Sequence, residues 1–535
     1  MRTLIFSTLF ILLVLCAVIA FAFPAFWIPF GLLVVCALMA TADAMQTRRA
    51  VLRNFPLIGR MRYLLEAIRP EINQYFVESD TDGVPFSREQ RSLVYQRAKG
   101  QLDTVPFGTL QDVYAPGYEW LAHSIGAVHL DMAAPPRVTI GGGQCTQPYD
   151  AALLNVSAMS FGSLSNNAIE ALNKGARIGG FYHNTGEGGI SSYHLKHGGD
   201  LVWQIGTGYF GCRTRTGGFD HEAFRKRALD PQVKMIEIKL SQGAKPGHGG
   251  ILPGRKVTQE IASVRGVPVG KDVLSPPSHQ TFGTPRELCA WVAEVRELAG
   301  GKPVGIKLCV GQPVELMGLA KAMRETGNLP DFIAIDGGEG GTGAAPLEFS
   351  NSVGMPLREA IVLTHNILVG FDLRDSIRLI AAGKVVSAFD MAVRLALGAD
   401  LVCSARSMML ALGCIQARRC NSNDCPVGVA TQKPSLVTGL DVEDKARRVA
   451  AFQRETVEGL MELLGSAALE SPSQLTPGHI LRRVRAGQVG SLADLHDSIE
   501  RGSLLFDPVP ESLRSDWERA SPDSFDPSPH AACAQ

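Results

Sequence analysis

Residues 332–344 read Phe332-Ile333-Ala334-Ile335-Asp336-Gly337-Gly338-Glu339-Gly340-Gly341-Thr342-Gly343-Ala344. An apolar run of strand length passes directly into glycines, which suit a loop where backbone approaches a ligand closely. Successive glycines also let backbone N–H groups turn toward a phosphate. The stretch therefore predicts a buried strand whose carboxyl end carries a phosphate-binding loop.

The same strand–loop–helix unit recurs on both sides of this stretch. Further short apolar or β-branched runs lie at 152–158, 235–240, 304–308, 385–387 and 401–404, and helix-like patterns such as 166–178 and 284–298 separate them. Repeated units of this kind imply a parallel sheet. Several of them within roughly 300 residues favour an α/β fold of the (β/α)8 TIM-barrel type. A doubly wound open sheet is the alternative, but no strand is followed by the GxGxxG turn of a dinucleotide site.

Other residues at predicted strand ends suit a flavin. Gly383 and Arg406 follow two later strands and complete a phosphate cup with the glycine loop. Met159 and Ser160 end the first strand, where a flavin ring edge meets backbone donors, and Gln204 stands where a third strand ends. Lys307 is a charge inside an apolar strand, and a lysine there neutralises an anionic reduced flavin. The alternative for Lys307 is a rim residue that extends to water.

Three cysteines form a compact pattern near the end of the predicted barrel. Cys414, Cys420 and Cys425 are spaced C-x5-C-x4-C, and Pro426 follows the last. Zinc sites usually take four ligands, often in CxxC pairs, and no such pair is present here. Iron–sulfur clusters accept irregular spacings, and three thiolates satisfy three irons, which predicts a [3Fe-4S] cluster. The alternative is three cysteines buried for packing alone.

The amino terminus predicts a membrane hairpin. No charged residue occurs from Thr3 to Ala42, a run about twice the ~20 residues that one helix needs to cross a bilayer. Pro24 and Pro29 interrupt the run, so we expect helices at roughly 3–22 and 28–43. Arginines follow the second helix, which places both ends, and the catalytic domain, on the cytoplasmic side of the cytoplasmic membrane. A cleaved signal peptide is the alternative, but a second apolar stretch follows immediately.

These signals divide the chain into five parts. We expect a transmembrane hairpin at 1–45, a helical connector at 46–135, the barrel with its cysteine loop at 136–435, a helical segment at 436–520, and a disordered tail at 521–535. Acidic and basic residues balance at 52 each, which argues against a nucleic-acid partner.

Four segments resemble one known family, the glutamate synthases. Gly413–Gln432 is similar to the family's three-cysteine segment, and residues 184–189 (NTGEGG), 242–247 (QGAKPG) and 275–279 (SPPSH) resemble three of its loops. The resemblance spans roughly residues 150–435. It implies FMN, a [3Fe-4S] cluster and a barrel that reduces 2-iminoglutarate, formed from 2-oxoglutarate and ammonia, to glutamate.

The resemblance also assigns roles by position. It implies that Lys245 and Arg265 pair with substrate carboxylates and that Glu187 orients the reacting centre. The cysteines that it assigns to the cluster are Cys414, Cys420 and Cys425. The residues that it assigns to FMN are Met159, Ser160, Gln204, Lys307, Gly338, Gly341, Gly383 and Arg406.

The sequence departs from the family at three other positions. Ile251 replaces a glutamine expected to bind substrate, His248 replaces a glutamate, and Tyr209 stands where an arginine is usual. No nucleophilic cysteine begins a glutaminase domain, so we expect free ammonia or an amine as nitrogen source, and ferredoxin or a reductase subunit as electron donor. Two other functions stay open: an oxidoreductase for another 2-oxo acid and amine, such as an N-alkylglutamate synthase subunit, and a membrane electron relay.

Overall fold

The computed structural model describes residues 2–131 and 135–526, and the chain divides into two compact units, Met1–Pro85 and Phe86–Gln535. The first unit is helical. Its elements are α1 (Arg2–Ala22), a 3-10 turn (Pro24–Phe26), α2 (Trp27–Met45), α3 (Ala50–Asn54), α4 (Ile58–Ile72) and a π-turn (Asn73–Val77). Two segments, Arg2–Ala22 and Pro24–Met45, are long and apolar enough to cross a membrane, a test that a signal sequence also passes.

The second unit holds all the strands that the structure describes. They are β1 (Glu119–Leu121), β2 (Arg137–Ile140), β3 (Tyr149–Ala152), β4 (Leu154–Val156), β5 (His183–Asn184), β6 (Leu201–Ile205), β7 (Val233–Lys239), β8 (Ile251–Leu252), β9 (Val273–Leu274), β10 (Val304–Leu308), β11 (Phe332–Asp336), β12 (Arg378–Ala382), β13 (Leu401–Ser404), β14 (Ile480–Arg485) and β15 (Gln488–Ser491).

Its α-helices separate and flank these strands. They are α5 (Arg88–Ala98), α6 (Asn166–Gly179), α7 (Ser192–Leu195), α8 (His221–Ala228), α9 (Gln259–Arg265), α10 (Pro285–Leu298), α11 (Pro313–Thr326), α12 (Leu347–Ser352), α13 (Leu357–Gly370), α14 (Ala388–Ala396), α15 (Arg406–Ala411), α16 (Pro434–Val437), α17 (Val442–Ser466), α18 (Leu492–Leu495) and α19 (Glu511–Arg519). Short 3-10 turns lie at Gly254–Lys256, Pro472–Gln474 and Pro477–His479.

Eight parallel strands close into a barrel, which confirms the predicted fold class. Their cyclic order is β4-β5-β6-β7-β10-β11-β12-β13, and β13 pairs with β4 through Val402–Leu154 and Ser404–Val156. The strands are short and nearly all buried, since helices cover the outside and side chains fill the inside. The antiparallel hairpin β2–β3 runs into β4 and closes the amino-terminal end of the barrel.

The barrel interior changes from apolar to polar along its axis. Its lower part is an apolar cluster that includes Tyr182, Met235, Phe332 and Leu401, with Ile140 of the hairpin against it. The upper part, at the carboxyl ends of the strands, carries Gln204, Glu237 and Lys307 instead. A packed lower layer therefore supports a polar upper layer, and the loops that follow the strands stand above it.

The structure corrects three expectations. Residues 385–387 are not a strand: the strand is Arg378–Ala382, which begins with a charge, and the buried Val385 and Val386 lie in the turn before α14. The segments expected to be helical also contain strands, because β14 pairs antiparallel with both β1 and β15. The tail is ordered at least to residue 526: Arg286 binds Asp523, and the Arg286 N–H donates to the Pro522 carbonyl. Residues 527–535 lie outside the described part of the chain.

Candidate functional site

A polar network occupies the upper end of the barrel interior. The Glu237 carboxylate accepts hydrogen bonds from Asn184 at 2.8 Å and from Gln204 at 2.6 Å. Lys307 Nζ lies 3.5 Å from Asp336 Oδ2. Burial alone would lower the pKa of Lys307, but the carboxylates of Asp336 and Glu237 outweigh burial and raise it. Lys307 is therefore a buried cation on the barrel axis and does not extend to water.

The other residues assigned to FMN by resemblance follow neighbouring strands. Met159 and Ser160 follow β4, Gly338 and Gly341 follow β11, Gly383 follows β12 and Arg406 begins α15 after β13. Arg406 Nη2 donates to the Glu339 carbonyl at 3.2 Å, which joins the loops after β11 and β13. At Gly341 an added Cβ would lie 2.2 Å from Arg406 Cζ, so any side chain at this position would displace the Arg406 guanidinium. These loops form one continuous edge at the carboxyl end of the barrel.

Glu187 lies among cations at the same end of the barrel. Its Oε1 is 3.1 Å from Lys239 Nζ. Burial would raise the pKa of Glu187, but Lys239, Arg265 and Lys245 together lower it, so the carboxylate is ionised. Lys239 ends β7 and also donates to Gln242 at 2.5 Å. Sequence analysis selected Glu187, Lys245 and Arg265 but missed Lys239, although the alternation of β7 places Lys239 on the same face as Glu237.

The two other cations are less well paired than Lys239. Burial lowers the pKa of Lys245 to about 8, with Glu187 acting in the opposite direction. Burial likewise lowers the pKa of Arg265 to about 10. Arg265 Nη2 donates to Ser160 Oγ at 3.2 Å and to the Phe161 carbonyl at 3.1 Å, while its buried Nε has no protein partner within the described residues. Three cations and one carboxylate leave this cluster with a net positive charge suited to an anionic ligand.

Two glycines leave the space that the Glu187 carboxylate occupies. A Cβ added at Gly206 would lie 2.5 Å from Glu187 Oε2, and one added at Gly250 would lie 2.6 Å from Glu187 Oε1. Gly206 follows β6, whereas Gly250 belongs to the loop that also carries Lys245. Any larger residue at either position would displace the carboxylate from Lys239.

The loop from Gln242 to Gly254 covers this cluster. Its strand β8 pairs with β9, where Ile251 stands opposite Leu274, and Ser275 N donates to the Gly250 carbonyl at 3.0 Å. His248 packs its ring edge-on against Phe349 of α12, at 5.2 Å between centroids. The NTGEGG, QGAKPG and SPPSH segments, far apart in the sequence, therefore meet around Glu187.

Tyr209 has a structural role in this fold. It is fully buried in the left-handed region, at φ 48°, within an aromatic group that includes Phe219, His279 and Trp291. Its hydroxyl lies 3.2 Å from His279 Nδ1, and His279 Nε2 lies 2.9 Å from the Lys239 carbonyl. The tyrosine thus ties the SPPSH segment to the end of β7, which accounts for its presence where an arginine was expected.

The three cysteines lie in an irregular loop after α15. Gln416, Arg418 and Asn423 all have positive φ, at 57°, 53° and 64°, so the chain curls back repeatedly. Tyr95 of α5 donates to the Cys414 carbonyl at 2.7 Å, and Gln416 exchanges two hydrogen bonds of 3.1 Å with the backbone of Phe86. These hydrogen bonds attach the cysteine loop to α5 and to the backbone of Phe86.

The thiols of this loop influence each other. Burial, together with the Cys420 and Cys425 thiols, raises the pKa of Cys414 to about 12, against an opposing hydrogen bond from the Gln416 backbone. Over residues 2–131 and 135–526, no group of three or more His, Cys, Asp or Glu side chains is placed to hold a metal ion. A cluster with three irons binds each thiolate through a different iron, so it accepts a wider spacing than one ion does. The donor set fits an iron–sulfur cluster better than zinc.

Comparison with known proteins adds to the class that the fold defines, an α/β-barrel protein with a cluster of cations at the carboxyl ends of its strands. A family model described as the conserved region in glutamate synthase matches residues 128–470. The chain belongs to the glutamate synthase family, and it is an enzyme of the oxidoreductase class.

Relatives of this chain differ in how much they share with it. It is 38% identical over 521 residues to the glutamate synthase large subunit-like protein YerD of Bacillus subtilis, which covers 90% of this chain and 98% of that protein. It is 36% identical over 321 residues to the archaeal glutamate synthase [NADPH] of Methanocaldococcus jannaschii, where the match spans 60% of each chain. Among solved structures, mandelate oxidase with (S)-2-phenylpropionate aligns with 14% identity and a TM-score of 0.42, covering 75% of this chain and 98% of that one.

Proposed function

We propose that this enzyme reduces 2-iminoglutarate, formed from 2-oxoglutarate and ammonia, to glutamate, with FMN and a [3Fe-4S] cluster as cofactors. The observation that carries the proposal is the cluster of Lys239, Lys245 and Arg265 around the ionised Glu187 at the mouth of the barrel. Membership of the glutamate synthase family supports it.

The charges of this cluster suit the proposed substrate. A dicarboxylate needs two cations at fixed separation, and Lys245 and Arg265 are not fully paired by Glu187. A protonated imine is itself positive, and Glu187 supplies the opposite charge beside it. Lys239 holds Glu187 in place through the 3.1 Å ion pair. The covering loop from Gln242 to Gly254 excludes water from the imine, which hydrolyses readily.

The residues at the barrel mouth fit FMN. Lys307 and Gln204 line the axis, where a cation and an amide match an anionic flavin ring. Gly338, Gly341, Gly383 and Arg406 lie on the phosphate side, where backbone N–H groups and one guanidinium match a phosphate. FMN supplies the two-electron reduction of the imine when it is bound.

Cys414, Cys420 and Cys425 would hold the cluster, which supplies electrons one at a time. Burial and the Cys425 thiol raise the pKa of Cys420, and the nearby cations Lys256 and Arg406 act in the opposite direction. We further propose that electrons come from ferredoxin or a reductase subunit and that the α1–α2 hairpin anchors the enzyme at the cytoplasmic face of the membrane. The 21-residue and 22-residue apolar segments support the anchor.

The decisive experiment measures glutamate formation by the purified protein supplied with 2-oxoglutarate, ammonia and dithionite or reduced ferredoxin. Lys245→Ala should raise the KM for 2-oxoglutarate, because losing one charge-assisted contact costs about 1.5–3 kcal/mol, roughly one to two powers of ten in affinity. Lys226→Ala, an exposed lysine on α8, is the control and should leave the KM unchanged. Flavin-loaded, iron-loaded protein that reduces no 2-oxo acid with any amine would support an electron relay instead.

One observation favours a second candidate, a different 2-oxo acid or amine. Ile251 lies in the covering loop, paired with Leu274, where the family resemblance implies a glutamine that contacts substrate. If the pocket has changed its substrate, Ile251→Gln should improve turnover of 2-oxoglutarate from a low starting value. If 2-oxoglutarate is the natural substrate, the substitution should not improve it. Parallel assays with ammonia and methylamine decide the amine.

A further inference from the structure

Helix α4 has an apolar face that the rest of its own unit does not cover. Five of its side chains recur at helical spacing, and each is between 39% and 59% exposed; they are Ile58, Met61, Leu65, Ile68 and Ile72. Leu64 lies beside them and is 57% exposed. A continuous apolar stripe of this length on a solvent-facing helix requires a partner.

The opposite face of α4 is the one that packs within the unit. Gly59 is buried, and a Cβ added there would lie 3.1 Å from the Val51 carbonyl and 3.2 Å from Leu52 Cδ2 of α3. Tyr63 lies on the same side, with the Arg49 guanidinium 4.5 Å from its ring centroid. The apolar stripe therefore points away from α3.

A buried carboxylate fixes the start of α4 against the end of the second apolar span. Asp43, in the last turn of α2, accepts hydrogen bonds from Arg60 Nε at 2.8 Å, from Arg60 Nη2 at 2.7 Å and from the Leu57 N–H at 3.1 Å. A helix of 19 residues rises roughly 28 Å, close to the thickness of a bilayer core. When Trp27 lies at one membrane boundary, Asp43 and the start of α4 lie at the other.

Basic residues accompany the stripe at this level. Arg62 and Arg69 flank it along one edge of α4, and Arg62 forms an i,i+4 pair with Glu66. Arg48, Arg49 and Arg53 lie in the preceding segment. Apolar side chains on one face of a helix, with arginines beside them, match the boundary between acyl chains and anionic headgroups.

We propose that α4 is an interfacial helix that lies along the membrane surface and inserts its apolar stripe beneath anionic lipid headgroups. This proposal rests on the proposed membrane anchor and adds to it a second contact with the bilayer. The Asp43–Arg60 pair sets the depth of the helix. The anchor is then a hairpin plus a surface helix, which restricts rotation of the chain where it leaves the membrane.

Tryptophan quenching in the full-length protein tests the proposal. Wild type, Leu65→Trp and Arg62→Trp are reconstituted in nanodiscs of phosphatidylglycerol and phosphatidylethanolamine, with plain or brominated acyl chains. Bromine quenches only indoles close to the acyl chains. We expect the emission added by Leu65→Trp to fall by more than half in brominated lipid and the emission added by Arg62→Trp to fall much less.

The native Trp27 separates the two possible failures. Trp27 is exposed at the start of α2, so wild-type emission should itself drop in brominated lipid if the hairpin spans the bilayer. No drop in the wild type would overturn the membrane anchor. A drop in the wild type together with unquenched Leu65→Trp would overturn the interfacial helix alone, and would assign the stripe to a protein partner or a second copy.

Discussion

The Glu187 carboxylate is held by residues that lie from 19 to 63 positions further along the chain. Lys239 pairs with it at 3.1 Å, while Gly206 and Gly250 leave just enough room for its two oxygens. Lys245 belongs to the same covering loop as Gly250, so this one loop supplies both a cation and part of the space that holds the carboxylate. The loop therefore organises both charge and access, and a single methyl group at Gly206 is expected to disturb the pair.

The pKa of Lys245 predicts how substrate binding depends on pH. Burial lowers this pKa to about 8, so the ammonium is present below pH 8 and is lost as the pH rises through that value. A carboxylate contact that needs the ammonium weakens in the same direction. The KM for 2-oxoglutarate should rise roughly fivefold from pH 8 to pH 9, with a smaller change in kcat.

A lysine-to-arginine substitution provides the control for this pH dependence of the KM. Arginine stays protonated throughout the range, so Lys245→Arg should remove the rise in KM above pH 8 even if binding is weaker overall. Steady-state kinetics from pH 7 to pH 9.5 measure both enzymes, with flavin content recorded at each pH. A wild-type KM that is flat to pH 9.5 would contradict a role for the Lys245 ammonium in binding.

At the scale of elements, the cysteine loop is held in shape by its neighbours. Three non-glycine residues adopt positive φ within it, a costly conformation that persists only when surrounding contacts enforce it. Those contacts come from α5, through Tyr95, and from the backbone of Phe86, through Gln416. These contacts hold the loop that carries the three cysteines against α5 and Phe86.

Removing one thiol should therefore remove the iron–sulfur cluster from the loop without unfolding the barrel. Cys420→Ser should lose the iron and acid-labile sulfide, about three irons per chain in the wild type, while FMN stays bound. Cys145→Ser is a matched control, because Cys145 lies in the β2–β3 hairpin at the other end of the barrel. Metal and sulfide analysis, together with a visible spectrum, measures the iron, sulfide and flavin content of each variant. Iron retained in Cys420→Ser, or stoichiometric zinc in the wild type, would refute the cluster assignment.

Over the whole molecule, the candidate site and the apolar helices belong to different units. All candidate flavin, substrate and cluster residues lie within Phe86–Gln535, and both apolar spans lie within Met1–Pro85. The elements that flank the barrel also belong to the second unit. Strand β14 pairs with both β1 and β15, and α17 packs against α6. Within residues 2–131 and 135–526, every strand belongs to the second unit.

Deleting residues 2–85 is expected to release a soluble, flavin-loaded protein. The full chain should stay with membranes after carbonate extraction, because two apolar helices of membrane-spanning length hold it there. The shortened chain should appear in the supernatant with its flavin spectrum intact. A reporter fused after Thr47 in the full chain should indicate the cytoplasm. A periplasmic reporter signal, or a full chain extracted by carbonate, would overturn the anchor.

The sequence by itself determined the barrel class and the chemical character of its loops. Short apolar runs ending in glycine, as at Phe332–Gly338, and a forty-residue stretch without charge are local patterns that few other structures satisfy. The cysteine spacing and the NTGEGG and QGAKPG loops were likewise visible from neighbouring residues alone. The strand Arg378–Ala382 begins with a charge and lacks this local pattern, whereas the buried turn at Val385 and Val386 carries the apolar, β-branched residues typical of a strand.

Only the tertiary structure decided which of these residues meet. Lys239 ends β7 and Glu187 follows β5, and their pairing depends on strand register and barrel closure, which no local pattern encodes. The sheet of β1, β14 and β15 joins residues more than 350 positions apart. The exposure of the α4 stripe depends on which face of α4 packs within the unit. Gly59 and the Asp43–Arg60 hydrogen bond determine that face. Neighbouring residues determine the chemical character of each loop. The distances between side chains from different loops are set by contacts that form only when the whole chain has folded.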